Sequence, residues 1–374
     1  MDTESDVIFA WLKSRRDNGT IKVLTGLRGT GKTTATERYR QFLESDGVNA
    51  ANIITLDFTS SIYRQLRTTR DILACIDAYT LTDDHYYVFI DEPLDAEGFG
   101  ELTQHLHRRT NLDLVVISSN ARLLREMSED TVSVYEVRLE ADGFPHLQEL
   151  KRNHQATNEY LEGLWSSIFL SDVLTLDKAI DCRLMDHIAE FLALNLGEPT
   201  SLRTIGAGVS QMTGGRIAAP STISEYFMTL LDSHLFARAM RFDIFSHEIM
   251  HRGYRIFSPC PRLLARRFGP AGAGNTFRNL VWNTLRRSWD DVFTGCTAND
   301  EIDFVVRSKH RFAYFQTTDE LTDVSQLRRL TAPLMEIEGN APKTIITLRP
   351  TALKAPPGIK LLSFDRFLRT MDEK

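Results

Sequence analysis

The stretch Ile21-Lys22-Val23-Leu24-Thr25-Gly26-Leu27-Arg28-Gly29-Thr30-Gly31-Lys32-Thr33-Thr34 decides how this chain is read. Its first five residues read as a short strand, and Gly26 to Thr33 match the pattern G-x-x-x-x-G-K-[ST] in full. Each position has a chemical reason. The glycines permit backbone angles that turn successive N–H groups toward one anion, and the helix opening at Lys32 offers its positive N-terminal end to the same charge. Lys32 is expected to reach the β- and γ-phosphates of a nucleoside triphosphate, and the Thr33 hydroxyl to ligate Mg²⁺. Gly26, Leu27, Arg28, Gly29, Thr30, Gly31, Lys32, Thr33 and Thr34 are therefore the candidate cradle, with ATP and Mg²⁺ as its ligands.

Further along, Tyr87-Val88-Phe89-Ile90-Asp91-Glu92 is an apolar strand ending in two carboxylates. Beside a phosphate loop that ending has a role: Asp91 holds the Mg²⁺ shell through water, and Glu92 orients and polarises the attacking water. Alone, a strand with acidic residues at its end would imply nothing. The next strand, Val115-Val116-Ile117-Ser118-Ser119-Asn120, ends in a polar cluster. In this place it resembles AAA-type ATPases, which carry a polar sensor residue between the catalytic water and the γ-phosphate, and that resemblance makes Asn120, with Ser118 behind it, the candidate sensor. Alternatively, Asn120 only caps the helix that begins at Ala121.

Around these motifs, β-branched runs alternate with helical spacing, the rhythm of a parallel α/β sheet with crossover helices, and the first domain is set at residues 1–143. Strands are predicted at Ile21–Thr25, Asn52–Phe58, Tyr86–Asp91, Leu112–Ser118 and Val132–Arg138, and helices at Lys32–Leu43, Arg70–Tyr79, Gly100–Arg109 and Ala121–Met127. Residues 144–197 turn wholly helical and read as a lid, closed by Gly197 and Pro199. Residues 198–268 read as a winged helix-turn-helix: Ser201 to Gly206 as the turn, a capped helix from Pro220 to Leu231, then a hairpin of Phe236–Ile244 with Tyr254–Phe257. The run Gly269-Pro270-Ala271-Gly272-Ala273-Gly274 marks a boundary. Residues 269–374 then form a smaller α/β domain, with helices at Asn275–Arg287 and Ser325–Glu336 and strands at Asp291–Phe293, Ile302–Val306, Phe312–Thr317, Thr344–Leu348 and Lys360–Leu362.

At 374 residues the chain is too long for one core, and 42% apolar with 25% charged residues is the composition of an ordinary folded protein. Cys75, Cys182, Cys260 and Cys296 lie far apart without a C-x-x-C pair, which excludes a disulfide framework or zinc site and fits a reducing cytoplasm. The N-terminal apolar run Val7–Leu12 is too short for a signal peptide or a membrane span, so neither fate is expected. A net charge of −6 gives no general attraction to nucleic acid. Yet from His251 to Ser288 there is no Asp or Glu, while Arg252, Arg255, Arg262, Arg266, Arg267, Arg278, Arg286 and Arg287 all fall there. These arginines either track a DNA backbone, pair with the acidic N-terminal domain, or form a solvated face.

The order of parts resembles widespread prokaryotic ATP-binding proteins that join an origin-recognition/STAND-like AAA-type ATPase domain to a winged helix and a C-terminal restriction-endonuclease-like domain. The resemblance rests on the P-loop, the strand ending Asp91-Glu92, the segment Ser166-Ser167-Ile168-Phe169-Leu170-Ser171-Asp172-Val173, the winged-helix stretch and Glu301-Ile302-Asp303-Phe304-Val305. It implies hydrolysis of ATP to ADP and phosphate, Asn120 as a sensor, and an arginine finger for which Arg122, Arg125 and Arg138 are candidates; Arg28 is a further phosphate contact. Departures accompany it. Met127-Ser128-Glu129-Asp130 stands where a Gly-Arg pair is usual, and Pro93 follows Glu92 where an Ile-Gln pair is common, so the loop facing the γ-phosphate is expected to differ.

A nuclease of the PD-(D/E)xK type needs two carboxylates and a lysine converging on the scissile phosphate. Here Asp303 supplies the first, Gln316 replaces the second, Thr318 stands where lysine belongs, and Arg278 where the related proteins often carry Glu. Glu301, Asp303 and Gln316 are thus nuclease-like remnants, and a domain that no longer cleaves is favoured over an active one. Three functions follow: an ATPase acting with DNA, a slow nucleotide-gated switch on a protein partner or a second copy, and a metal-dependent nuclease.

Overall fold

The computed structural model describes residues 4–372 except 64, 67, 94–97, 140–143, 151, 152, 175–179, 216, 217, 298 and 299. The chain divides into two compact units. The first takes residues up to Leu139, Phe144–Ile180 and Asp232–His234, and the second takes Asp181–Leu231 and Leu235 onward. Among the described residues no helix is long and apolar enough to cross a membrane.

The first unit runs α1 (Glu4–Ser14), β1 (Ile21–Thr25), α2 (Lys32–Ser45), β2 (Ile53–Asp57), α3 (Thr69–Tyr79), β3 (Tyr86–Asp91), α4 (Phe99–His107), β4 (Leu112–Ser118), β5 (Val132–Glu136), α5 (Pro145–Leu150) and α6 (His154–Ile168). Its five strands are all parallel in the order β2-β3-β4-β1-β5. This is the α/β core expected from the alternating pattern. Both faces are covered, which is why the strands are nearly continuous in apolar residues. Val23, Val88, Ile90 and Val116 pack with Ile72 and Ile76 of α3 and Phe99, Leu102 and Leu106 of α4. Leu24, Phe89 and Ile117 alternate to the other face, against Ile8 and Leu12 of α1 and Ala35, Tyr39 and Leu43 of α2. Lys22, the charged member of β1, is buried in an ion pair with Asp113.

Parallel strands bring all their carboxyl ends to one edge, where ligands bind in open α/β sheets. Because β4 lies between β1 and β3, its polar end falls between the loop after β1 and the carboxylates after β3. The segment Ala121–Glu126 was expected as α-helix and is 3₁₀ instead. Six residues give an α-helix few i→i−4 bonds, and the tighter turn suits so short a piece.

The second unit contains α7 (Cys182–Leu194), β6 (Pro199–Thr200), α8 (Leu202–Met212), α9 (Pro220–Asp232), β7 (Ala237–Asp243), β8 (Ile249–Phe257), α10 (Pro261–Phe268), α11 (Ala273–Ser288), β9 (Asp291–Cys296), β10 (Glu301–Ser308), β11 (Arg311–Thr318), α12 (Val324–Met335), β12 (Lys343–Thr347), β13 (Ile359–Ser363) and α13 (Phe364–Asp372). One mixed sheet orders its strands β13-β12-β11-β10-β9-β7-β8-β6, with β7 parallel to β9, so the hairpin and the C-terminal strands share a sheet. Phe277, Val281, Trp282 and Leu285 of α11 pack with Phe304, Phe315 and Phe367. Leu327 and Leu334 of α12 pack with Ile302, Val305 and Ile345. The Ser201–Gly206 stretch is not a turn. It opens α8, whose first turn is capped by the Ser201 hydroxyl accepting from the Thr204 N–H at 3.1 Å.

Candidate nucleotide-binding site

The loop after β1 is built for close backbone approach. Gly26 has φ +141°, and a Cβ there would lie 2.8 Å from the Val137 carbonyl oxygen. Gly31, at φ +91°, begins α2 without a side-chain cap, so the first N–H groups of that helix remain open to an anion. Lys32 is buried, and its Nζ donates to the carbonyls of Gly26 at 2.7 Å and Leu27 at 3.0 Å. Burial pulls its pKa down to about 8, partly countered by the charges of Glu92 and Asp172. Leu27 is buried, whereas Thr33 and Thr34 are exposed on the first turn of α2.

Thr33 Oγ1 donates to Asp91 Oδ2 at 3.4 Å. The other oxygen, Asp91 Oδ1, is buried without a hydrogen-bond partner, as is Thr30 Oγ1. Burial pushes Asp91 up to about 6, and the neighbouring charges of Glu92 and Asp57 add to it. An unanswered buried acceptor costs about 1–3 kcal/mol. A hard divalent cation bound by oxygen ligands offsets that cost, so this donor set fits Mg²⁺.

Glu92 sits in the left-handed region at φ +52°, a strained conformation of the kind that concentrates at working sites. The Ser119 N–H donates to its Oε2 at 2.9 Å and the Ser119 hydroxyl to its Oε1. Arg28 Nη2 stands 3.8 Å from the same Oε1. Arg28 is turned mainly to Asp172, with Nε to Oδ2 at 3.0 Å and Nη2 to Oδ1 at 2.7 Å. Asp172 lies on a single π-helical turn, Phe169–Val173, that continues α6. Asn120 is engaged at both ends of its amide: Oδ1 accepts from the Arg122 N–H at 2.9 Å, and Nδ2 donates to the Asp172 carbonyl at 3.1 Å. Ser118 Oγ donates to the Asn120 carbonyl at 3.0 Å.

Residues 18–141 match the family described as an AAA domain. Over 365 residues the chain is 26% identical to an uncharacterized protein of Haemophilus influenzae, covering 89% of this chain and 90% of that one. Among solved structures, Drosophila ORC bound to AT-rich DNA and Cdc6 aligns at 11% identity and a TM-score of 0.26, over 70% of this chain and 92% of that one. A DNA polymerase III gamma subunit-related protein of Thermotoga maritima aligns at 12% and 0.28, over 57% and 78% of the two chains.

The first unit gathers Lys32, Thr33, Asp91, Glu92 and Arg28 at one edge of its sheet. Ser119 and Asp172 join them without having been assigned a role by the sequence. Ser119 had a signal, the polar end of β4; Asp172 had only its place in the Ser166–Val173 segment. Of the finger candidates, Arg125 pairs with Asp232, Arg138 stands 3.9 Å from Glu136, and Arg122 is exposed. The altered loop expected after Pro93 lies at 94–97, outside the described residues.

The nuclease-like residues also meet, on β10 and β11. Asp303 Oδ2 accepts from the Thr317 N–H at 2.8 Å and hydroxyl at 2.6 Å, and its Oδ1 from Arg278 Nε at 3.0 Å. Gln316 Nε2 donates to the Glu301 carbonyl at 3.1 Å. The Glu301 carboxylate is bound by Arg255 at 2.7 Å and faces Arg241 at 3.3 Å. Arg278 thus engages Asp303, and Arg255 and Arg241 engage Glu301.

Proposed function

We infer that this chain is a Mg²⁺-dependent ATPase whose AAA domain hydrolyses ATP to ADP and phosphate in the cytoplasm. The observation that carries this reading is the unanswered Asp91 Oδ1 beside the Thr33 hydroxyl, at the mouth of a loop with open amides. The loop N–H groups and Lys32 bind the β- and γ-phosphates, while Thr33 and Asp91 hold Mg²⁺, which neutralises charge developing on the phosphate oxygens. Glu92 orients and polarises the attacking water, and Ser119 fixes the direction of its carboxylate. Asn120 keeps a sensing role through its tie to Asp172. Lys32→Ala is expected to abolish nucleotide binding or turnover, and Glu92→Gln to keep ATP bound while stopping phosphate release. Wild-type release from Glu92→Gln would remove that residue from its role.

A second reading, a slow nucleotide-gated switch on a protein partner, draws support from Ser119, which engages both oxygens of Glu92. Saturable ATP binding with turnover below about one per hour favours it, since an unassisted P-loop GTPase already reaches roughly 3–5 × 10⁻⁴ s⁻¹, about one to two per hour.

The four-part division at 143, 197 and 268 remains our reading of the chain, with a winged helix in residues 198–268 formed by α8, α9 and the β7–β8 hairpin. Its helix α9 argues against reading a major groove, because Pro220–Asp232 contains no Lys or Arg and carries Glu225. Arg255, Arg267 and Arg278 are in ion pairs within the second unit, while Arg252 and Arg262 are exposed and face solvent as a backbone contact would require. The occupied Asp303 and Glu301 support a C-terminal domain that does not cleave. Measuring ATPase rate with and without DNA across a salt series separates these readings.

A further inference from the structure

We propose that Asp172 is a positioning residue for this reaction: from the π turn after α6 it aims the Arg28 guanidinium at the phosphates in the loop. The proposal rests on the ATPase reading above.

Arg28 belongs to the phosphate loop itself, and an arginine there gains nothing for catalysis while its long stem is free to turn. Asp172 removes that freedom. Its two oxygens take the Nε and Nη2 edge in a fork, the geometry that fixes the plane of a guanidinium as well as its place. Nη1 is left over, and among the described residues it makes no hydrogen bond. Nη2 also lies 3.8 Å from Glu92 Oε1, so the pair sits where the attacking water and the phosphates must meet.

The carboxylate of Asp172 has 0% exposure, although a buried charge is costly without a strong partner. A π turn is itself rare in helices and frequent at functional sites, because the extra residue re-aims one side chain. Here it delivers Asp172 to Arg28, and the Asp172 carbonyl accepts from Asn120 at the end of β4. One residue thereby ties the loop after β1, the end of β4 and the helix after the sheet. Chemically, Asp172 leaves the nucleotide untouched and acts through Arg28.

The test is a double-mutant cycle of Arg28→Ala, Asp172→Asn and both together, reading the dissociation constant of a fluorescent ATP analogue and the single-turnover rate with Mg²⁺. Asp172→Asn should slow turnover about tenfold with affinity within about threefold of wild type, as expected for lost orientation rather than lost binding. Arg28→Ala should slow it at least as much, and the double variant should be no slower than Arg28→Ala alone. Losses that multiply, or an Asp172→Asn rate within about twofold of wild type, overturn the proposal. Should Asp172→Asn fail to fold, Arg28→Lys asks the same question, since lysine keeps the charge without the fork: a wild-type rate refutes the positioning role, and a tenfold loss at unchanged affinity supports it. Wild-type protein that binds no ATP overturns the ATPase reading and this proposal together. Turnover by wild type with an additive cycle overturns the proposal alone.

Discussion

Gly26 shows how one residue without a side chain controls the candidate site. Its φ of +141° is open to glycine and strained for any other residue, and a Cβ would press on the Val137 carbonyl at 2.8 Å. Both effects act together in Gly26→Ala, so the loop must shift. We expect a loss of about 1–3 kcal/mol in stability, with nucleotide affinity falling further because the loop amides no longer converge. Urea denaturation and an ATP titration measure the two, and wild-type values for both would refute the account. That Gly26, Lys32 and Thr33 stand together was legible because a phosphate loop is local: its residues are neighbours in sequence. Ser119 and Asp172 were not. Each meets its partner only after the strand order β3-β4-β1 has placed the end of β4 between two loops, or after a π turn has rotated Asp172 inward. Asn120 was read as a sensor or a cap, and it does cap the following 3₁₀ turn.

Among the elements, α8 was the one most misread, and the cause is a conflict between propensity and packing. Two glycines, Gly206 and Gly208, depress its intrinsic helicity by about 1 kcal/mol each relative to alanine. Gly208, however, lets α8 approach α7 so closely that an added Cβ would lie 2.0 Å from the Phe191 ring. At Gly206 the nearest neighbour of such a Cβ is the Ile223 side chain, at 3.9 Å. The two substitutions therefore have opposite signs. Gly206→Ala should stabilise by up to about 1 kcal/mol through propensity alone. Gly208→Ala should destabilise by roughly 1–2 kcal/mol, since displacing the ring outweighs the same propensity gain. Equal shifts in the denaturation midpoints would show that α8 is not held by this approach. Strands were easier to read than this helix, because β1, β3 and β4 are apolar runs bounded by polar turns. Their pairing was hidden: nothing local in Ala237–Asp243 announces that it lies parallel to Asp291–Cys296 in one sheet.

At the scale of the molecule, two units each carry their own apolar clusters, Val23 through Ile117 in the first and Phe242 through Phe367 in the second. A ligand stabilises the unit that binds it. If the first unit binds ATP with Mg²⁺, saturation at a hundredfold above Kd adds about 2.7 kcal/mol to that unit. For a unit of this size such a gain raises the melting transition by roughly 5–10 °C. Calorimetry should then show two transitions, of which ATP with Mg²⁺ raises one and leaves the other in place. Chelation of Mg²⁺ should shrink the shift, because Asp91 then faces the phosphates without the cation between them. Lys32→Ala should erase it, which assigns the moving transition to the first unit. A nucleotide shift that persists in Lys32→Ala would place the binding outside the loop between Gly26 and Thr34, and the reading of this chain would have to start from another site.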